Sequence, residues 1–192
     1  LRRTFSLLAQ AATIGARSIV LLHDPAAMGW AIGDRIALAP TTSGSRGSAD
    51  ACTITGFGPG NMVQLSTALA AAYSVSLGHD AIRSAEVVHL SRNMLISGDD
   101  LSHVPCSGGA TCTHGLHTIG IGSTHVQRVE YTRVEKCGQR GSLGRYCLHF
   151  HLQSRCPSCY FRGNAIEHGH QRGIVIHGTH QARVEENVIF GV

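Results

Sequence analysis

The chain has 192 residues, 43% of them hydrophobic and 15% charged, with 16 basic side chains against 12 acidic ones and a formal charge of +4. This composition excludes a disordered or highly charged tail, and no stretch reaches the roughly 18 apolar residues that a membrane span needs. With 23 glycines and 5% aromatics the chain reads as turn-rich all-β and not as a helical bundle, while its 13 histidines pose the functional question.

Residues 1–8 carry Arg2-Arg3 ahead of a short apolar run, as an export signal does, but Gln10 and Thr13 interrupt it. Both ends read as cuts in a longer protein. Residues 1–83 form a first region of short apolar runs separated by Gly, Ser, Pro and Asp. Ile19-Val20-Leu21-Leu22 comes first, followed by the segment from Trp30 to Pro40 and a Ser/Gly-rich loop. Cys52-Thr53-Ile54-Thr55-Gly56 then alternates as a half-buried strand does. The alanines between Leu65 and Tyr73 allow a helix as a secondary reading.

Residues 84–192 change character and repeat. Residues 119–130 align with residues 174–185 at an offset of 55, with Ile, Ile, Thr, His, Arg, Val and Glu in identical places. Leu148-His149-Phe150-His151-Leu152 fits between them, so the offset spans two coils. A second strand recurs before Asn93, Thr132, Asn164 and Asn187. Coils of about 20–30 residues, with glycine turns and asparagine recurring at one corner, predict a parallel β-helix in which each coil buries its apolar face on the next. An asparagine can hydrogen-bond to its counterpart one coil away. Further coils are expected beyond Val192.

Several segments, taken in order, carry a resemblance. They are Trp30-x-x-Gly33-Asp34-x-Ile36, Ala85-Glu86-Val87 with Leu90-Ser91-Arg92-Asn93, and Gly138-Gln139. Gly144-Arg145-Tyr146, His149-Phe150-His151, Tyr160-x-Arg162-Gly163-Asn164 and Ile176-His177-Gly178-Thr179 complete the set. The pattern resembles the eight-glycine-domain and right-handed β-helix family of fibrocystin-L, the cell-surface hyaluronidase and the cell migration-inducing hyaluronan-binding protein. Cys147 departs from it, standing where the family has proline. The resemblance implies an all-β chain in which part of an eight-glycine-type domain precedes a right-handed parallel β-helix, at the cell surface or outside the cell. It also implies an acidic polysaccharide, hyaluronan-like, as the ligand.

Residues two apart in a strand share a face. Leu148, Phe150 and Leu152 are therefore expected in the core, with His149 and His151 on the outer face. Ile174 and Ile176 match the core positions of the next coil, which sets His177 directly over His151 at the roughly 4.8 Å spacing of parallel strands. Gly122 is expected in the same column one coil earlier. Arg145, Tyr146 and Arg172 enter the same strands. The functional reading is a groove in which Arg145, Arg172 and Arg162 meet the carboxylates of an acidic glycan, Arg being suited to bidentate pairing. His149, His151, His177 and Tyr146 are the candidate proton carriers for lyase-type or hydrolytic cleavage. The competing reading has stacked histidines hydrogen-bonded within the wall and arginines holding turns. Hydrolysis of the ordinary kind needs two carboxylates about 5–9 Å apart, and Glu130, Glu167 and Glu185 give no sign of converging. His125 and His180 read as turn residues.

The seven cysteines, in a secreted chain, read as local disulfides at Cys106/Cys112 and Cys156/Cys159, with others pairing elsewhere. A reduced zinc site built on Cys156 and Cys159 is the alternative. No metal-ligating set is assigned otherwise. Calcium is left only Asp99-Asp100, well short of the about 6–8 oxygens it takes. Scattered arginines without interleaved aromatics exclude nucleic acid as a partner, and nothing inserts into a membrane. Two functions remain: a module that binds and cleaves an acidic glycan, or a non-catalytic adhesion module of a fibrocystin-L-like receptor.

Overall fold

The computed structural model describes residues 1–41, 49–77, 82–102 and 113–192. It is nearly all β: the one helix among the described residues is the single turn Pro25–Met28. No described helix is long and apolar enough to cross a membrane. The expected Cys106/Cys112 pairing lies outside the described residues. The segment between Leu65 and Tyr73 is not helical; Leu69 and Tyr73 are nevertheless buried, and Tyr73 bridges to Ala12.

The chain divides into two compact units, Leu1–Ser91 and Arg92–Val192. The division falls later than the expected 83/84 boundary for a physical reason. Eight strands belong to the first unit: β1 (Phe5–Leu7), β2 (Ser18–Val20), β3 (Arg35–Leu38), β4 (Ala51–Gly58), β5 (Met62–Leu65), β6 (Val75–Leu77), β7 (Ile82–Ser84) and β8 (Glu86–His89). Strand β8 pairs antiparallel with both β1 and β3, so residues 86–89 complete the first sheet and do not open the repeat. That sheet has the order β1-β8-β3-β4-β5-β2, and Leu8, Trp30, Ile36, Leu38, Ile54 and Val87 lie in the core beneath it. The Trp30/Gly33/Asp34 motif has a structural job. The Trp30 indole N–H donates to the Arg3 carbonyl, and the Asp34 carboxylate accepts from the Ala31 amide and meets the buried His89 ring at 2.8 Å.

The second unit is built by passages of three strands. β9 (Met94–Ser97), β12 (Thr132–Glu135), β15 (Ala165–Glu167) and β18 (Val188–Phe190) form one parallel sheet, in the order β18-β15-β12-β9. β10 (Gly120–Ile121), β13 (Leu148–Arg155) and β16 (Ile174–His180) form a second. β11 (Arg128–Glu130), β14 (Tyr160–Arg162) and β17 (Arg183–Glu185) form the third. Every pairing in these three sheets is parallel. Phe150 of β13 stacks face to face on Phe161 of β14 at 3.8 Å, and Val134, Leu148 and Ile166 fill the remaining interior.

The corners recur in columns. Tyr131, Gly163 and Glu186 all have positive φ, and each precedes the residue that starts the next strand or ladder step. Lys136, His168 and Gly191 do the same where the third strand of a passage ends. The expected asparagine ladder stands on the first of these columns. Buried Asn164 accepts from the Thr132 amide at 3.1 Å and donates to the Val129 carbonyl at 2.9 Å. Its amide group also donates to Asn187 Oδ1 at 2.9 Å, and Asn187 in turn donates to the Phe161 carbonyl. The Thr132 amide and the Val129 and Phe161 carbonyls are thereby each satisfied by a side chain one passage away.

Three expectations need correction. Leu152 is 53% exposed with φ +51°, because the ladder slips between His151 and Ser154 and the strict alternation ends there. Ile176, on edge strand β16, is 51% exposed where a core position was expected. The residue paired with His151 one passage earlier is Ile121 and not Gly122. The offset between the outer passages is 55 at β11/β17 but one residue longer at β10/β16.

Candidate functional site

His151 and His177 are register partners on β13 and β16, with ring centroids 4.8 Å apart. His149, two residues earlier on β13, presents its ring to His151 edge-on at 5.0 Å. The three therefore share one face, as the strand period requires, but not one degree of exposure. His149 is 1% exposed, His151 half-buried and His177 exposed. The cause is the loop from Gly138 to Tyr146, which folds over His149. The Gly144 carbonyl lies 2.9 Å from His149 Nδ1, and the Tyr146 ring packs edge-on against the imidazole at 4.9 Å. Burial pushes the His149 pKa below the ordinary histidine value; the Gly144 hydrogen bond opposes this and the neighbouring His151 and His177 add to it.

The loop is itself anchored at both ends. Cys137 and Cys147 are joined by a disulfide, and Gln139 donates its amide N–H to the Arg145 carbonyl. Gly144 has φ +85°, a left-handed conformation that glycine adopts without strain. Arg172, which precedes β16, donates through Nη1 to the Tyr146 hydroxyl at 2.9 Å and lies 5.3 Å from the centre of the Tyr146 ring. Tyr146 thus accepts from a cation and keeps its own O–H to donate.

These groups line a pocket of about 500 Å³ containing Gly144, Tyr146, His149, His151, Arg172 and His177, with Leu143, Val175 and Ile176 supplying apolar wall. Five of the seven residues singled out from the sequence meet here. Arg145 does not: it is exposed and donates to Gln139 Oε1 at 2.8 Å. Arg162 lies on β14, in another sheet, and pairs with Glu130 at 2.6 Å. The carboxylates are spoken for as well. Glu130 pairs with Arg162, and buried Glu167 is in contact with Arg133, which also pairs with Glu135 at 2.5 Å. No carboxylate lines the pocket.

The other sequence candidates resolve simply. Cys156 and Cys159 form a disulfide, so the zinc site proposed on their thiols is replaced by a covalent link. Asp99 accepts from the Leu101 amide and Asp100 contacts the Lys136 ammonium, so the calcium candidate is a turn with an ion pair. His125, which closes a turn on Gly122, and His180, which ends β16 and is a strand residue where a turn was expected, are exposed, and their carbonyls accept from Gln153 and Cys156. Sequence reasoning missed the Gly144 carbonyl and the apolar wall. The only available signal was a glycine between Leu143 and Arg145.

Residues 112–192 match the CEMIP beta-helix family model. Over that span the chain is similar to the G8/CEMIP-like family. Human fibrocystin-L is 31% identical over 233 aligned residues, covering 98% of this chain and 5% of that protein. A G8 domain-containing protein of Dictyostelium discoideum is 30% identical over 108 residues, covering 56% of this chain and 9% of that one. The chain therefore spans only about a twentieth of the fibrocystin-L it matches. Among solved structures, the tailspike gp61 of Pseudomonas phage phi297 aligns with a TM-score of 0.36 at 15% identity, over 98% of this chain and 31% of that chain.

Proposed function

We propose that this chain is part of an extracellular protein, and that its second unit is a right-handed parallel β-helix module binding an acidic, hyaluronan-like polysaccharide on the β13/β16 face. The observation that carries the reading is the pocket in which the Arg172 guanidinium, held by the Tyr146 hydroxyl, stands beside three imidazoles with no carboxylate among them. A sugar carboxylate meets a preorganised cation there, and the apolar wall of Leu143 and Ile176 suits the face of a pyranose ring.

Binding is favoured over two-carboxylate hydrolysis, because Glu130 and Glu167 are both committed to arginines outside the pocket. Any cleavage at this face would use Tyr146 and the imidazoles as proton carriers. The adhesion-module reading gains from the same absence of paired acids.

The test is affinity electrophoresis and calorimetry with size-graded hyaluronan oligosaccharides, with polymer length followed in parallel. Binding by the native chain that falls at least about tenfold in Arg172→Ala, with Arg145→Ala unchanged, supports the reading. Native chain that ignores the oligosaccharides, or an Arg172→Ala variant that binds as well as native, overturns it. Binding without shortening of the polymer selects the adhesion module.

A further inference from the structure

The three imidazoles pose a pairing problem that hydrogen bonding does not solve. A carbonyl only accepts, so His149 Nδ1 carries the proton facing Gly144 and His149 Nε2 presents a lone pair. His151 Nδ1 stands 3.3 Å from that lone pair and 3.1 Å from His177 Nδ1. A neutral ring nitrogen offers one proton or one lone pair. His151 Nδ1 therefore serves one neighbour well and leaves the other unmatched.

We propose that His149 Nε2, His151 Nδ1 and His177 Nδ1 bind a divalent transition-metal ion of the Zn2+ type. One potential ligand atom from each residue lies within 4.8 Å of the others. Tetrahedral zinc, with Zn–N bonds of about 2.0–2.1 Å, sets its ligand nitrogens roughly 3.3–3.4 Å apart, close to the 3.3 and 3.1 Å found here. The Gly144 carbonyl holds the His149 ring in the tautomer that frees Nε2, which is how outer-shell groups orient histidine ligands. Three imidazoles and no carboxylate suit Zn2+, Cu2+ or Ni2+ and exclude Ca2+ and Mg2+, which take oxygen. Three protein ligands leave a coordination position, and the group opens onto the pocket that holds Arg172 and Tyr146. With the ion held, His151 and His177 are ligands, and Tyr146 and Arg172 are the groups left to meet a bound molecule.

The inference stands apart from the glycan reading, since ion binding is measured with no sugar present. The full chain, stripped with a chelator and kept oxidised, is titrated calorimetrically with zinc sulfate, with calcium chloride as control. Co2+ serves as a spectroscopic probe of tetrahedral nitrogen ligation. The expected result is about one Zn2+ per chain with micromolar or tighter affinity, no response to Ca2+, and ligand-field bands with Co2+. His177→Ala, at an exposed position in the middle of edge strand β16, should weaken Zn2+ by at least about 100-fold, the upper end of what losing an outer-shell partner costs. His180→Ala, exposed on the same strand outside the cluster, should leave affinity unchanged. Absence of saturable Zn2+ binding overturns the inference, as does a His177→Ala variant that binds as tightly as the native chain. A Co2+ spectrum without tetrahedral bands also overturns it, whether or not any variant folds. A chain that takes Zn2+ but no hyaluronan would refute the glycan reading alone.

Discussion

The Nδ1 atoms of His151 and His177 face each other at 3.1 Å across neighbouring parallel strands. Parallel pairing sets this contact, because it puts like positions of successive passages side by side and a residue that repeats meets its own kind. His149, locked by Gly144, completes the set.

The lock makes a prediction about one proton. Long-range ¹H–¹⁵N spectra of the metal-free chain at neutral pH should show His149 as the Nδ1–H tautomer, with an unprotonated Nε2. Free histidine prefers the opposite tautomer, so the signal is distinctive. An Nε2–H assignment for His149 would mean that the Gly144 carbonyl does not orient the ring.

Asn164 is the structural counterpart. It is fully buried, and its side chain bonds the Thr132 amide, the Val129 carbonyl and Asn187. Asn164→Ala leaves those groups without their partner and should cost about 2–4 kcal/mol. Urea unfolding followed by circular dichroism checks this. A loss below about 0.5 kcal/mol would show that the ladder does not hold the passages together.

The ladder was readable because it is a repeat: asparagine recurs at one corner, three places after an apolar residue, as at Leu90/Asn93, Phe161/Asn164 and Val184/Asn187. The His151/His177 register was readable for the same reason. What the repeat does not encode was lost. The burial of His149 depends on the loop from Gly138 to Tyr146, which lies in a connection six residues longer than the one between β15 and β16. The first passage carries one residue more between Ile121 and Arg128 than the last does between His177 and Arg183, so Ile121 stands in the column where an unbroken offset placed Gly122. Arg162 belongs to a matching motif, yet its strand lies in a different sheet. A motif match fixes position along the chain and not the face on which a side chain ends.

Tyr73 gives the first unit an alkaline limit. Its hydroxyl donates to the Asp50 carboxylate at 2.9 Å and accepts from the Asp50 amide at 2.8 Å, and burial, with the Asp50 carboxylate adding to it, raises its pKa well above the ordinary value. Below the unfolded tyrosine pKa of about 10, both states keep the proton and stability is flat. Above it the unfolded chain releases the proton first, so stability falls as pH rises. Tyr73→Phe should lower stability at neutral pH by about 1–3 kcal/mol through the lost hydrogen bonds, and should flatten the decline above about pH 10 relative to the native chain. Melting temperatures of the two proteins across that range decide it. Parallel curves would place the alkaline sensitivity elsewhere.

The Cys137–Cys147 disulfide joins fold and site. It closes the loop that carries Gly144 and Tyr146, and both sulfurs lie in the interior of the second unit. Cross-linking a loop of this length stabilises by about 2–3 kcal/mol on the chain-entropy model. The double variant Cys137→Ala/Cys147→Ala should lose that much, plus a smaller amount for the cavity left by two sulfurs. The same change frees the loop over His149, so the pocket should loosen before the sheets do. Amide exchange at Gly144 and Tyr146 should accelerate more than at Phe150 and Ile166, which lie in strands paired on both sides. Uniform acceleration across these positions would mean that the disulfide stabilises the whole unit and does not shape the loop. Faster exchange confined to the loop, with weaker Zn2+ and glycan binding, would show that the covalent link holds the Gly144 carbonyl against His149.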